Sequence, residues 1–121
     1  SVNHFNTGEK KFNIGEIKIA HLAWRSTLEA AIRDVIRIRP DEVTSHQDCD
    51  FGKWYAGDGQ IFKSYENFQE LGLWHQKTHD IARQVIEQCD QGKQEQAQSL
   101  IREFNEARTN LFRLLDDVYL Q

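Results

Sequence analysis

Residues 73–89 read LWHQKTHDIARQVIEQC, and this stretch decides the fold. Leu73, His75, His79, Ala82, Ile86 and Cys89 recur at steps of mainly three and four, which is the period of one face of an α-helix rather than the alternation of a strand. The helix it predicts covers roughly residues 72–91, with Gly92 as its stop. Two of the stripe positions are histidines, four apart. On a helix such rings project from the same face one turn apart and can grip one ion.

Working outward, the C-terminal segment from about 93 to 120 repeats the pattern with Ala97, Leu100, Ile101, Phe104, Ala107, Leu111, Leu114, Leu115 and Val118. Toward the N-terminus, Ile17, His21, Trp24, Leu28, Ala31, Val35 and Ile38 form a stripe that predicts a helix from Gly15 to Arg39, ended by Pro40. Between these, Asp48 is placed to cap a short helix carrying Cys49 to Tyr55, with the glycines of GDG at 57–59 stopping it. Residues 60–71 read as a broken helix. The polar, aperiodic residues 1–13 read as a tail or linker remnant, leaving 14–121 as one domain. No strand-type alternation stands out. The prediction is an all-α chain: a four-helix bundle with an additional short helix and an irregular loop.

Composition bounds the function. The chain has 121 residues, 28% of them charged and 39% hydrophobic, with three Trp and seven Phe, enough for one buried core. Its net charge of −4 comes with no basic block, so neither a nucleic-acid footprint nor a polybasic membrane patch is expected. No apolar run approaches the ~20 residues of a membrane span, and no secretory leader pattern opens the chain. Two cysteines fall short of a disulfide framework and suit a reducing cytoplasm. The chain has no methionine and starts at Ser1, which fits a removed initiator or a piece cut from a longer protein.

The chemistry lies in His and Cys. His75 and His79 share a face, His21 lies within the first stripe beside Trp24, and Cys49 offers a soft sulfur; three imidazoles and one thiolate suit zinc, and four protein ligands close a tetrahedron. Each also has a plainer reading, as a hydrogen-bonded core histidine or a small buried thiol. Cys89 lies ten residues beyond His79, about 15 Å along a helix, and reads as core. His46 rivals His21: on spacing alone the two are equal candidates, and His4 is an outside one. Enzymes of the di-metal type use Glu-x-x-His pairs, which the chain lacks, so a catalytic role is not expected. An iron-binding His-rich bundle and a purely structural, zinc-stabilised dimerisation module are the alternatives.

HLAW at 21–24, CDFGKWYAGDG at 49–59 and LWHQKTH at 73–79 together resemble the chemoreceptor zinc-binding family. That family has a His in a first helix, a Cys-x-Phe/Leu-Gly-x-Trp segment and two His on a later helix. The resemblance implies zinc held by His21, Cys49, His75 and His79, framed by Trp24, Phe51, Gly52 and Trp54, with Cys49 redox-sensitive. It further implies a homodimeric bacterial cytoplasmic domain. Such a domain senses zinc or oxidants such as hypochlorous acid and controls a chemotaxis or cyclic-di-GMP output module in the same polypeptide or a partner.

One geometric condition follows. A straight helix from His21 to Arg39 rises about 27 Å. Residues 40–48 reach about 30 Å fully extended, barely enough to bring Cys49 back to the height of His21. Either 40–48 is an extended strap, or the first helix ends well before Pro40.

Overall fold

The structure, a computed structural model, describes residues 4–7 and 10–120. Four α-helices dominate it: α1 (Ile14–Ile32), the short α2 (Asp50–Ala56), α3 (Phe68–Asp90) and α4 (Gln94–Leu120). The all-helical expectation has one exception. Within the predicted tail, β1 (His4–Thr7) and β2 (Lys10–Asn13) pair antiparallel, with His4 opposite Asn13 and Thr7 opposite Lys10. Each strand has four residues and one aromatic, too little for alternation to register. His4 lies in β1, and its side chain is outside the description.

α1 ends at Ile32, not at Arg39. Its last turn closes with Val35 N–H donating to the Ala30 carbonyl at 2.9 Å and Asp34 N–H to that of Ala31 at 3.1 Å. Asp34 carries the left-handed φ of 60° between them. This is the terminal pattern usually marked by glycine, here made by an aspartate, one of the residues that tolerate that conformation. Val35, expected on the stripe, is 70% exposed. The early end satisfies the geometric condition by its second branch: the return to Cys49 begins at residue 33 and includes a tight helical turn at Pro40–Glu42. At the end of α3 the same pattern recurs with a glycine. Lys93 N–H donates to Gln88 at 2.8 Å, Gly92 N–H to Cys89 at 3.0 Å, and Gly92 has φ 74°.

The segment 60–71 does not form a helix of its own. A single-turn helix spans Asp58–Phe62, and the rest leads into α3, which starts at Phe68 behind Asn67 in the left-handed region. The buried face of α3 is Phe68, Leu71, His75, Thr78, His79, Ala82, Val85 and Ile86 with Ile81. Leu73, placed on the stripe by spacing, is 65% exposed. Cys89 is half-buried against the core as expected, and neither cysteine is in a disulfide.

Two apolar clusters fill the bundle. One joins Ile17, Phe51, Trp54 and Leu71 to Leu111, Leu114, Leu115 and Val118. The other joins Leu28, Ala31 and Ile32 to Ile81, Ala82, Val85 and Ile86 and to Ala97, Ile101, Phe104 and Ala107. Early α3 residues thus meet late α4 residues and the reverse, so α3 and α4 form an antiparallel hairpin against which α1 packs. Between the clusters, on α1 and α3, lie the buried polar residues His21, His75, Thr78 and His79.

Candidate metal centre

His21 falls one turn after Ile17 of the first cluster and two turns before Leu28 of the second; His75 and His79 fall between Leu71 and Ala82 on α3. Helical periodicity therefore brings all three rings to one level of the core. Cys49 reaches that level on the loop that opens α2, as the residue immediately before the helix. One ligand atom from each of His21, Cys49, His75 and His79 lies within 4.8 Å of all the others.

The hydrogen bonds fix the tautomers. Nδ1 of His21 lies 2.8 Å from the Ile17 carbonyl, and Nδ1 of His79 lies 2.8 Å from the Thr44 carbonyl. A carbonyl oxygen only accepts, so each Nδ1 carries the proton and donates it. Each Nε2 is then a bare lone pair, and the two face each other at 3.4 Å. Burial lowers the pKa of His21 and, with the neighbouring histidines, that of His79, the latter to about 4, so neither ring carries a second proton at neutral pH. Two lone pairs cannot bond to each other. They can share a cation.

His75 completes the picture. It is 2% exposed, and its buried Nε2 has no hydrogen-bond partner. Desolvation, reinforced by His79, His21 and His46, pushes its pKa down to about 2. Zinc–nitrogen bonds of about 2.0–2.1 Å in a tetrahedron separate two nitrogens by about 3.3–3.4 Å, the spacing seen between His21 and His79. Three imidazoles and one sulfur, with no carboxylate in the group, form a donor set suited to zinc. The residues fit the ion.

The residues expected to frame the site divide. The Trp24 ring lies 4.6 Å from His79 and 5.9 Å from His21, centroid to centroid, and Phe51 lies edge-on 4.7 Å from His75. Trp54, fully buried, has its described ring contacts with Phe51 and Phe62, one step removed from the imidazoles. Gly52 acts through the backbone: a Cβ there would sit 1.7 Å from the His46 carbonyl oxygen. Helix α2 is thus pressed against the loop that presents Cys49. We expect Gly52→Ala to cost roughly 2–4 kcal/mol of stability by forcing that loop away. A thermal unfolding midpoint equal to the parent's would contradict this.

His46 is not among the four donors, although its ring centroid lies 6.3 Å from that of His75. What spacing did not reveal is the pair of carbonyls that hold the rings. That of Ile17 follows from the i−4 geometry of a helix. That of Thr44 belongs to a loop and leaves no mark on the sequence.

A family model described as the chemoreceptor zinc-binding domain matches residues 21–86, more than half of the chain, starting at His21 and enclosing all four donors. No curated protein and no solved structure matches the chain significantly. Among the described residues, no helix is long and apolar enough to cross a membrane. By its donors, their order and this match, the chain belongs to the chemoreceptor zinc-binding domain family.

Proposed function

We propose that this domain binds one zinc ion through His21, Cys49, His75 and His79 and acts as a sensory module rather than an enzyme. The observation that carries the reading is the pair of bare Nε2 lone pairs 3.4 Å apart in a buried layer. Bound zinc supplies the charge that these lone pairs face, and four protein donors leave no open position for a substrate.

The chain's own residues divide the work. His21, His75 and His79 sit on long helices with their rings fixed, two of them by carbonyls. Cys49 alone comes from a loop, so it is the donor on the most movable support. The thiolate attacks hypochlorous acid, the two-electron oxidant: in the net step sulfur gains the hydroxyl, chloride leaves, and the resulting sulfenic acid is a weaker donor. Release of the loop then passes into α2 through the contact at Gly52. On this reading the input is zinc or an oxidant. The output is a chemotaxis or cyclic-di-GMP module in the same polypeptide or a partner, with the domain acting as a homodimer in a bacterial cytoplasm and touching neither nucleic acid nor membrane.

Cobalt-substituted protein should show sulfur-to-metal charge transfer, and Cys49→Ser should abolish that band and weaken zinc binding roughly a hundredfold. Full affinity in the serine variant would mean the donor set is wrong. Hydrogen exchange over residues 43–56 should rise after hypochlorous acid treatment. Unaltered exchange there would leave a purely structural zinc site.

A further inference from the structure

A fourth imidazole, that of His46, stands three residues before Cys49. Rings bound to one tetrahedral zinc have centroids about 5 Å apart, given Zn–N bonds of about 2.0–2.1 Å. The three histidine donors show 5.5, 5.4 and 4.5 Å between centroids. His46, at 6.3 Å from His75, stands roughly 1 Å farther from that ring than a ring sharing its ion would.

The surroundings leave the His46 ring a place to turn. The His46 carbonyl packs against Gly52. Ser45 ties the same loop together, its carbonyl accepting from Asp48 N–H at 3.1 Å and from Cys49 N–H at 3.2 Å. The imidazole is half-buried and lines a groove of about 780 Å³ that runs from Tyr55 and Gly72 to His75. It has room on the groove side and the metal layer on the other.

We propose that His46 is the reserve ligand of this site. When the Cys49 sulfur stops donating, the His46 imidazole turns into the vacated corner, and the metal stays, held by four imidazoles. Resting on the zinc reading above, this deepens it: the signal becomes an exchange of ligands within one loop, which removes the single negative charge from the metal's shell and does not require the ion to leave.

The test is a double-mutant cycle on the full chain, using wild type, His46→Ala, Cys49→Ala and the double variant, with zinc affinity read by competition against a chromophoric chelator. Cys49→Ala should keep one zinc per chain. Adding His46→Ala should weaken binding by roughly tenfold more in the Cys49→Ala background than in the wild type. Equal effects in both backgrounds, or no zinc on Cys49→Ala, would overturn the proposal. Failure of the zinc reading shows separately, as a wild type that binds no zinc. Should Cys49→Ala lose its helical circular dichroism, folded Cys89→Ser protein with and without His46→Ala can be alkylated with iodoacetamide, which forms an S–C bond at Cys49 and releases iodide. Zinc kept only where His46 is present supports the exchange, and equal retention in both overturns it.

Discussion

Zinc added to the metal-free domain raises its thermal midpoint by roughly 15 °C when free zinc exceeds the dissociation constant about a thousandfold. The ion binds the folded state, and at that excess mass action contributes about 4.1 kcal/mol. For a domain of this size each kcal/mol is worth roughly 4 °C. The stabilisation is large because binding joins segments distant in sequence, α1, the Cys49 loop and α3, and supplies the charge that the bare nitrogens of His21 and His79 face. Calorimetry before and after chelation measures it. A midpoint indifferent to zinc would remove the ion from the folding equilibrium and with it the central reading of the site.

The second large effect is acid. In the metal-free domain His79 has its pKa lowered to about 4 and His75 to about 2, mainly by burial. Unfolded, both titrate near the ordinary 6.5, so below that pH the unfolded chain binds protons that the folded one refuses. Stability is whole above pH 6.5 and is lost as pH falls from there toward 4 for His79 and toward 2 for His75. The slope is about 1.4 kcal/mol per pH unit for each histidine. Across the two units below 6.5 the pair removes roughly 5 kcal/mol, a large share of the 5–15 kcal/mol typical of a domain. The metal-free protein should therefore lose its helicity near pH 4–5, while a His75→Leu variant holds to lower pH. Helical circular dichroism unchanged down to pH 4 would contradict the prediction.

Much of this was legible in residue type and spacing. The long stripes of α3 and α4 announce themselves, and spacing marks His75, His79 and Cys49, whereas His21 and His46 stand level on spacing and only the family resemblance separates them. Features made by the backbone were not legible. Asp34 ends α1 in a conformation that glycine would have advertised, so the apolar Val35 and Ile38 prolonged the apparent stripe past the true end. The first hairpin is too short to show a period. Leu73 fits the spacing of α3 yet faces out, because the helix is rotated so that Leu71 and Thr78 are buried. At the site, the Thr44 carbonyl that sets the His79 tautomer is common to every residue type, and only the folded loop singles it out.

The polar layer between the two apolar clusters has a consequence for the register of the bundle. Leucine, isoleucine and alanine faces on α1 and α3 tolerate sliding, since one aliphatic contact replaces another at similar energy. A one-turn slip of α1, about 5.4 Å, would carry His21 away from His79 and bring Ile17 or Trp24 to the level of the metal. Four donors at one height forbid that, so the layer acts as a key that locks α1 against α3, much as a single buried polar residue fixes alignment in a coiled coil. Weakening the layer does more than loosen an ion: it reopens the axial freedom of α1, the one long helix outside the α3–α4 hairpin.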